Sequence, residues 1–425
     1  MTYLNLQYFK NKAKETVVKN SFFLIASQIS VSLSQLIIVP YIVRIIGVKY
    51  FGVIAFINTI IFFLNFMLDS CLNISFVRKI SNIKGNLAEL SSYFFNMIYF
   101  KLVFGLVLFF VFFLFSVMFS EIYYYKEMYL FGFVFIFGNI LNPIWFFQGV
   151  ENVKFISISN IISKIFYVLL IFVLLNKKED YYLIIYINAL LALIVGIMGF
   201  IYAIKIFNIK ISDFKLSKFL ELIKEGKTIF FSNIATTFYS YLTTIILGVV
   251  VSYESVGYFN AADKLIKAVR SLIAPIYQVI FPYFTKAASE GKERFKYIFT
   301  KTLTFLGSLT LIISLLLIVF SNKLIILIYG QSFVEAVPVL QIMAATIFFV
   351  SINNTLGVQT LLNYYMDGYF FRVLLVSGIF NIIMLLFLTQ FLTHIGAAIS
   401  VSLTELLIII LFAYVIKIKK VLLND

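Results

Sequence analysis

The chain of 425 residues contains one cysteine, one histidine, one tryptophan and five prolines, and only 12% of its residues are charged. Cys71 has no second thiol to meet, which excludes an internal disulfide and a cysteine metal cluster. His394 stands alone at a segment end and reads as an interfacial side chain, so no metal site is expected. Soluble domains carry about 25% charged residues, and a share this low excludes a soluble globular chain. There is no Walker sequence to drive transport with ATP, no Gly-x-Ser-x-Gly elbow and no Cys/His metal spacing. An enzyme is therefore not expected.

What the chain has in abundance is apolar surface. It is 62% hydrophobic, with 51 Phe and 27 Tyr. Tyrosines cluster at segment ends, as at Tyr123 to Tyr125, Tyr181 and Tyr182, and Tyr364 and Tyr365, where amphipathic rings favour the headgroup layer. The formal net charge is +15. Nucleic acid is not the partner this implies, because the basic residues lie mostly in short turns between apolar runs and follow membrane topology.

Windows of about 20 residues pick out about twelve spans: 20–42, 52–76, 91–119, 128–149, 155–175, 181–204, 228–251, 256–285, 297–320, 335–361, 369–392 and 396–416. Lys10, Lys12, Lys14 and Lys19 precede the first, which reads as an uncleaved helix rather than a signal peptide. With the N-terminus inside, about 23 Lys and Arg fall on the cytoplasmic side and about six on the outer side. The outer set is Arg44, Lys49, Lys126, Lys177, Lys178 and Lys323. Both termini are therefore expected in the cytoplasm.

The longest connection, 205–227, divides the chain nearly in half. Phe214, Phe219, Leu220 and Ile223 alternate there with Lys215, Lys218, Glu221 and Lys224 at helical spacing, the pattern of an amphipathic helix on the inner membrane surface. The expected organisation is a six-helix bundle over 1–206, an amphipathic linker over 207–227 and a second six-helix bundle over 228–425. Because both halves start inside, they read as parallel repeats.

Five cations fall within spans: Lys101, Lys164, Lys264, Lys267 and Arg270. A cation at mid-bilayer depth costs about 2.5–3.5 kcal/mol on the mildest insertion scale, so each needs a reason. Lys264, Lys267 and Arg270 follow one another at three-residue steps and span an arc of about 120° on one helix face. Pro275 and Pro282 in the same span predict a kink or pivot. Arg78 and Asp69 bracket the inner end of the second span, Asp263 adjoins Lys264, and Glu405 is central in the twelfth. These carboxylates are candidates for ion pairing or for ion coupling. Snorkelling or structural ion pairing is the competing account of each cation, strongest for Arg78 and Lys164.

The stretch Pro143-Ile-Trp-Phe-Phe-Gln-Gly-Val-Glu151 resembles the signature of the Wzx-type O-antigen flippases, with Trp145, Gln148, Gly149 and Glu151 as the matching positions. These flippases form the polysaccharide branch of the multidrug/oligosaccharidyl-lipid/polysaccharide exporter superfamily. Further matches run from Gly47 to Val53, Asp69 to Arg78, Val256 to Lys264, Ile280 to Tyr283 and Gly357 to Leu362. The resemblance implies an all-α integral membrane fold like that of the multidrug exporters, with twelve transmembrane helices in two six-helix bundles around a central cavity.

It also implies a substrate, undecaprenyl diphosphate carrying an oligosaccharide unit, moved to the outer leaflet of the bacterial inner membrane by alternating access. Lys264, Lys267 and Arg270 match the family's cavity cations, with Lys101, Lys164 and Arg78 as further candidates for substrate binding. The family often has Glu where Asp263 stands. No cofactor is expected; coupling to H⁺, to Na⁺ and to the membrane potential stays open. Beyond the lipid-linked oligosaccharide and the bilayer, the implied partners are a polysaccharide polymerase and a chain-length regulator.

Three other readings compete. A multidrug or organic-cation exporter of the same superfamily would commonly carry a carboxylate in its first helix, and 20–42 has none. A peptidoglycan-precursor flippase generally has helices beyond twelve. A membrane polysaccharide polymerase or transferase is disfavoured by the short outer loops, the first of which lacks any carboxylate.

Overall fold

The computed structural model describes residues 3–70, 73–83, 85–118, 120–214, 241–419 and 421. The described elements are helical throughout: α1 (Tyr3–Ser70), α2 (Asn73–Ile83), α3 (Leu87–Met118), α4 (Ser120–Tyr124), α5 (Lys126–Leu141), α6 (Ile144–Gly149), α7 (Lys154–Leu174), α8 (Leu183–Ile206), α9 (Tyr241–Val250), α10 (Tyr253–Glu290), α11 (Lys292–Tyr329), α12 (Ala336–Asn353) and α13 (Asp367–Ile418). A π-helical turn, Asn354–Leu361, continues α12, and a 3₁₀ turn, Lys178–Tyr182, leads into α8. Among the described residues, nine helical stretches are long and apolar enough to cross a membrane. The expected amphipathic linker lies mostly outside the described residues. Its described beginning, from Asn208 to Phe214, is not helical.

Two of the long helices are broken. α1 turns at Gly47 (φ 73°, ψ −179°), a conformation glycine adopts without penalty. α13 turns at Thr393 (φ 47°, ψ −125°), where a β-branched side chain is strained. α5 and α6 are separated at Pro143, which caps α6 and has no N–H to continue the helix. Pro40 lies inside α1, and Pro275 and Pro282 lie inside α10.

The chain forms two compact units, the first of residues 1–45 and 57–234, the second of 46–56 and 235–425. In the first, Trp145 is fully buried and packs edge-on against Phe76, with Phe94 and Phe146 closing the aromatic core. Dispersion among such rings replaces a hydrophobic drive that lipid cannot supply. In the second, Phe284, Phe295 and Phe412 anchor a core with Leu361 from the π turn.

The second unit holds the 46–56 stretch by close backbone approach. A Cβ on Gly52 would lie 1.7 Å from the Tyr253 carbonyl oxygen at the start of α10. Phe56 packs edge-on against the Tyr253 ring at 5.5 Å. Ser252 starts α10 by accepting a 3.2 Å hydrogen bond from the Ser255 N–H, and Glu254 complements the dipole in the first turn. With 38 residues, α10 is about 57 Å long and exceeds the ~30 Å hydrocarbon core. Its cations Lys264, Lys267 and Arg270 stand about 17–26 Å from its start.

Candidate functional site

The three cations of α10 occupy three different settings in the second unit. The Lys264 ammonium lies 4.8 Å from the centroid of Phe51, a cation–π contact supplied by the 46–56 stretch. Lys267 pairs with Asp263 one turn before it, at 2.5 Å, and its side chain is 63% exposed. Arg270 turns inward. One terminal nitrogen donates to the Thr346 carbonyl oxygen of α12 at 3.3 Å, and its Nε is buried without a hydrogen-bond acceptor among the described residues. The shared helix face is thus present, but Lys267 is paired with Asp263 while Arg270 is bonded to α12.

Behind Arg270 lies a polar layer that joins three helices. Glu405 of α13 is 5% exposed and accepts a 2.8 Å hydrogen bond from Asn353 Nδ2 at the end of α12. The same amide also donates to the Glu405 carbonyl oxygen at 3.0 Å. Arg270 is the charge that acts on this carboxylate. In the adjoining π turn, Gln359 donates to the Tyr277 carbonyl oxygen of α10 at 3.2 Å and to Asn354 at 3.1 Å. A π turn presents side chains out of ordinary α register and often marks a functional position. Asn353 is not among the residues the sequence singles out, and Gln359 is covered only by the Gly357 to Leu362 match. An isolated amide inside a span carries no periodic signal, and only the tertiary partner gives it a role.

In the first unit, Lys101 of α3 pairs with Asp69 of α1 at 2.7 Å, with side-chain exposures of 2% and 37%. Asn65 donates to the other carboxylate oxygen at 3.1 Å. Lys101 is thus a buried, neutralised cation. Lys164 of α7 donates to Asn188 Oδ1 of α8 at 3.2 Å and lies 5.5 Å from the Tyr167 ring. The backbone of Arg78 belongs to α2, and its side chain lies outside the described residues.

The Trp145 signature builds a joint. Trp145 fills the aromatic core, and its indole Nε1 has no hydrogen-bond acceptor among the described residues. Gly149 lets α6 approach α2, since a Cβ there would lie 2.6 Å from Ile80. Glu151 takes a positive φ of 57°, and its carbonyl oxygen accepts a 2.8 Å hydrogen bond from Asn20 of α1. Gln148 is exposed. Three of the four motif positions therefore fix backbone geometry between α1, α2 and α6.

The sequence and the fold have recognisable relatives. The chain is 27% identical over 412 residues to a protein of Escherichia coli (strain K12) named "Putative O-antigen transporter", covering 97% of this chain and 99% of that one. A Shigella dysenteriae protein of the same name is 26% identical over 257 residues, 60% of this chain and 64% of its own length. Among solved structures, the lipid II flippase MurJ in an inward closed conformation matches with a TM-score of 0.75 at 18% identity, over 94% of this chain and 89% of that one. An inward-facing multidrug transporter of the MATE family, in the MOP superfamily, matches with a TM-score of 0.65 at 11% identity, over 91% and 95%. At those identities the structures establish a common fold. A family model described as polysaccharide biosynthesis protein matches residues 17–288, most of the chain. The chain belongs to the polysaccharide biosynthesis protein family, in the Wzx-type branch that the Trp145 signature points to.

Proposed function

We propose that the chain is a transporter that carries an undecaprenyl-diphosphate-linked oligosaccharide unit from the inner to the outer leaflet of the bacterial cytoplasmic membrane. The observation that carries this reading is the Lys267 side chain, 63% exposed about 21 Å along an apolar helix, with Asp263 as its ion-pair partner. Exposure to hydrocarbon at that depth is costly, so the surface around it is a polar path rather than a lipid face. Lys264 and Lys267 follow Asp263 within one turn and together supply a surplus positive charge for a lipid diphosphate. Each cation–phosphate contact at about 4 Å and an effective dielectric near 20 contributes about 4 kcal/mol before desolvation.

Twelve spanning segments, in two bundles of six, belong to this proposal. The nine apolar stretches become eleven when α1 and α13 are divided at Gly47 and Thr393. The shorter apolar helix Tyr241–Val250 makes the twelfth. The division of the chain into two compact units supports the two bundles. Both termini are placed in the cytoplasm by the excess of Lys and Arg on that side. The polyprenyl tail stays in lipid while the headgroup crosses between cationic side chains.

Outward movement of two negative charges across an inside-negative membrane releases about 4.6 kcal/mol per 100 mV if both cross the whole field. Coupling to H⁺ or Na⁺ is assigned to the second unit, where Glu405 is the buried carboxylate. Lys101, paired with Asp69, enters as a structural cation rather than a headgroup ligand. A polysaccharide polymerase and a chain-length regulator would act on the delivered unit.

The test is a strain whose own copy is replaced by Lys264→Gln/Lys267→Gln. Surface polysaccharide is lost and lipid-linked units accumulate on the inner side, while the protein remains in the membrane. Normal surface polysaccharide in that strain overturns the proposal.

A further inference from the structure

Six aromatic and charged side chains converge at one end of the first unit, where α4 passes into α5 and the 3₁₀ turn passes into α8. Tyr124, Lys126, Glu127, Tyr181, Tyr182 and Tyr186 line a pocket of about 420 Å³. That volume lies within the range of about 300–1,000 Å³ typical of small-molecule sites. Tyrosines at segment ends are expected as an interfacial belt, but a belt ring needs only a headgroup layer around it. These rings are held in place instead.

Tyr186 stacks on Phe131 with centroids 3.7 Å apart and planes 16° from parallel. Its hydroxyl donates to Glu127 Oε2 at 3.5 Å. Tyr182 packs against Tyr186 at 5.2 Å, and Tyr124 stands edge-on to Tyr125 at 4.8 Å. Two rings remain available to a ligand, Tyr124 at 77% exposed and Tyr182 at 38%.

The charged side chains that line the pocket are balanced in sign. Lys126 leans 4.6 Å from the centroid of Tyr123. Asp180 is turned into the backbone, where it accepts from the N–H groups of Asn176 and Lys177. Lys126 and Glu127 leave the pocket with one charge of each sign, which gives no preference for an anion. Open aromatic faces bordered by hydroxyl, ammonium and carboxylate groups match a ligand with a C–H face and a rim of hydroxyls. A pyranose ring has that form: its C–H face stacks on a tyrosine while its hydroxyls meet Glu127, Lys126 and the phenols.

We propose that this pocket binds sugar residues of the glycan, separately from the site on α10 that meets the diphosphate. The inference rests on the proposed transport function for the identity of the glycan. In the proposed topology this end faces outward, so the pocket receives the glycan after it crosses.

The test uses full-length protein in lipid nanodiscs and, as probe, the lipid-free oligosaccharide repeat released from the surface polysaccharide of the producing strain. Saturation-transfer NMR, irradiating aromatic protons, reads contact with the sugar C–H protons. Wild-type protein transfers saturation to them, and Tyr124→Ala/Tyr182→Ala reduces the transfer about tenfold. Tyr124→Phe/Tyr182→Phe, which keeps the rings, retains it. The single variant Tyr124→Ala guards against a folding artefact, because so exposed a ring holds little of the core, and it too shows reduced transfer.

Lys264→Gln/Lys267→Gln leaves transfer at the wild-type level, whereas wild-type protein that binds the glycan but does not flip the lipid-linked unit would sink the transport reading and uphold the pocket. In sealed vesicles of known orientation, transfer occurs when the glycan is added on the side of this pocket and not on the other. Transfer absent from wild type, unchanged in both alanine variants, or confined to lipid protons as a belt predicts, overturns the inference.

Discussion

Lys101 Nζ lies 2.7 Å from Asp69 Oδ1, joining α3 to α1 across 32 residues of sequence. Because the lysine is 2% exposed, the carboxylate beside it offsets the cost of burying its charge. Asp69→Ala therefore lowers stability, by at most about 3–5 kcal/mol, since the buried ammonium loses the carboxylate that neutralises it. Asp69→Asn/Lys101→Met restores most of that loss by removing both charges. Thermal unfolding of the three purified variants in detergent checks the order. Equal midpoints for Asp69→Ala and wild type would show that the pair carries no structural weight.

Gly52 faces the Tyr253 carbonyl oxygen too closely for any side chain. Gly52→Ala must push the 46–56 stretch away from the start of α10, at a cost of about 1–3 kcal/mol. The same movement carries Phe51 away from Lys264, so this one methyl group should alter substrate handling as well as stability. Gly85, where a Cβ would meet nothing within 4 Å, serves as the control, and Gly85→Ala leaves both properties unchanged. Comparison of thermal midpoints and transport in the two variants reads the difference directly.

Much of this architecture is legible in the sequence. Hydropathy alone places the long apolar segments, because each must be about 20 residues and carry few charges. The turn at Gly47 has a visible signal in the glycine. The turn at Thr393 has none, because a threonine in a strained conformation is held there by its surroundings and not by its own preference. Helical spacing puts Lys264, Lys267 and Arg270 on one face, yet it carries no information about Phe51 or Thr346, the groups that separate their roles. Likewise Asp69 and Lys101 are each conspicuous as charges in apolar segments, and only folding pairs them. The amphipathic pattern between residues 215 and 227 lies outside the described residues.

Glu405 accepts its hydrogen bond from Asn353 in a layer that also feels the charge of Arg270. We propose that it carries the coupling proton. Glu405→Gln can still accept from Asn353, so the protein stays folded with a stability change below about 1 kcal/mol. What it loses is the response to a pH gradient, because an amide has no proton to exchange. Transport by this variant in proteoliposomes should be the same with and without an imposed gradient. A wild-type response to the gradient in Glu405→Gln rules the carboxylate out as the carrier.

The most direct measurement of the central claim is flipping of an undecaprenyl-diphosphate-linked oligosaccharide in proteoliposomes that contain only this protein. Wild-type protein exposes the lipid-linked glycan to an enzyme or lectin added on the opposite side, faster under a favourable membrane potential. Lys264→Gln/Lys267→Gln, at equal reconstitution, slows that exposure by about tenfold or more, the loss of at least one cation–phosphate contact after desolvation. Wild-type rates in this variant, or no protein-dependent flipping by the wild type, would contradict the account.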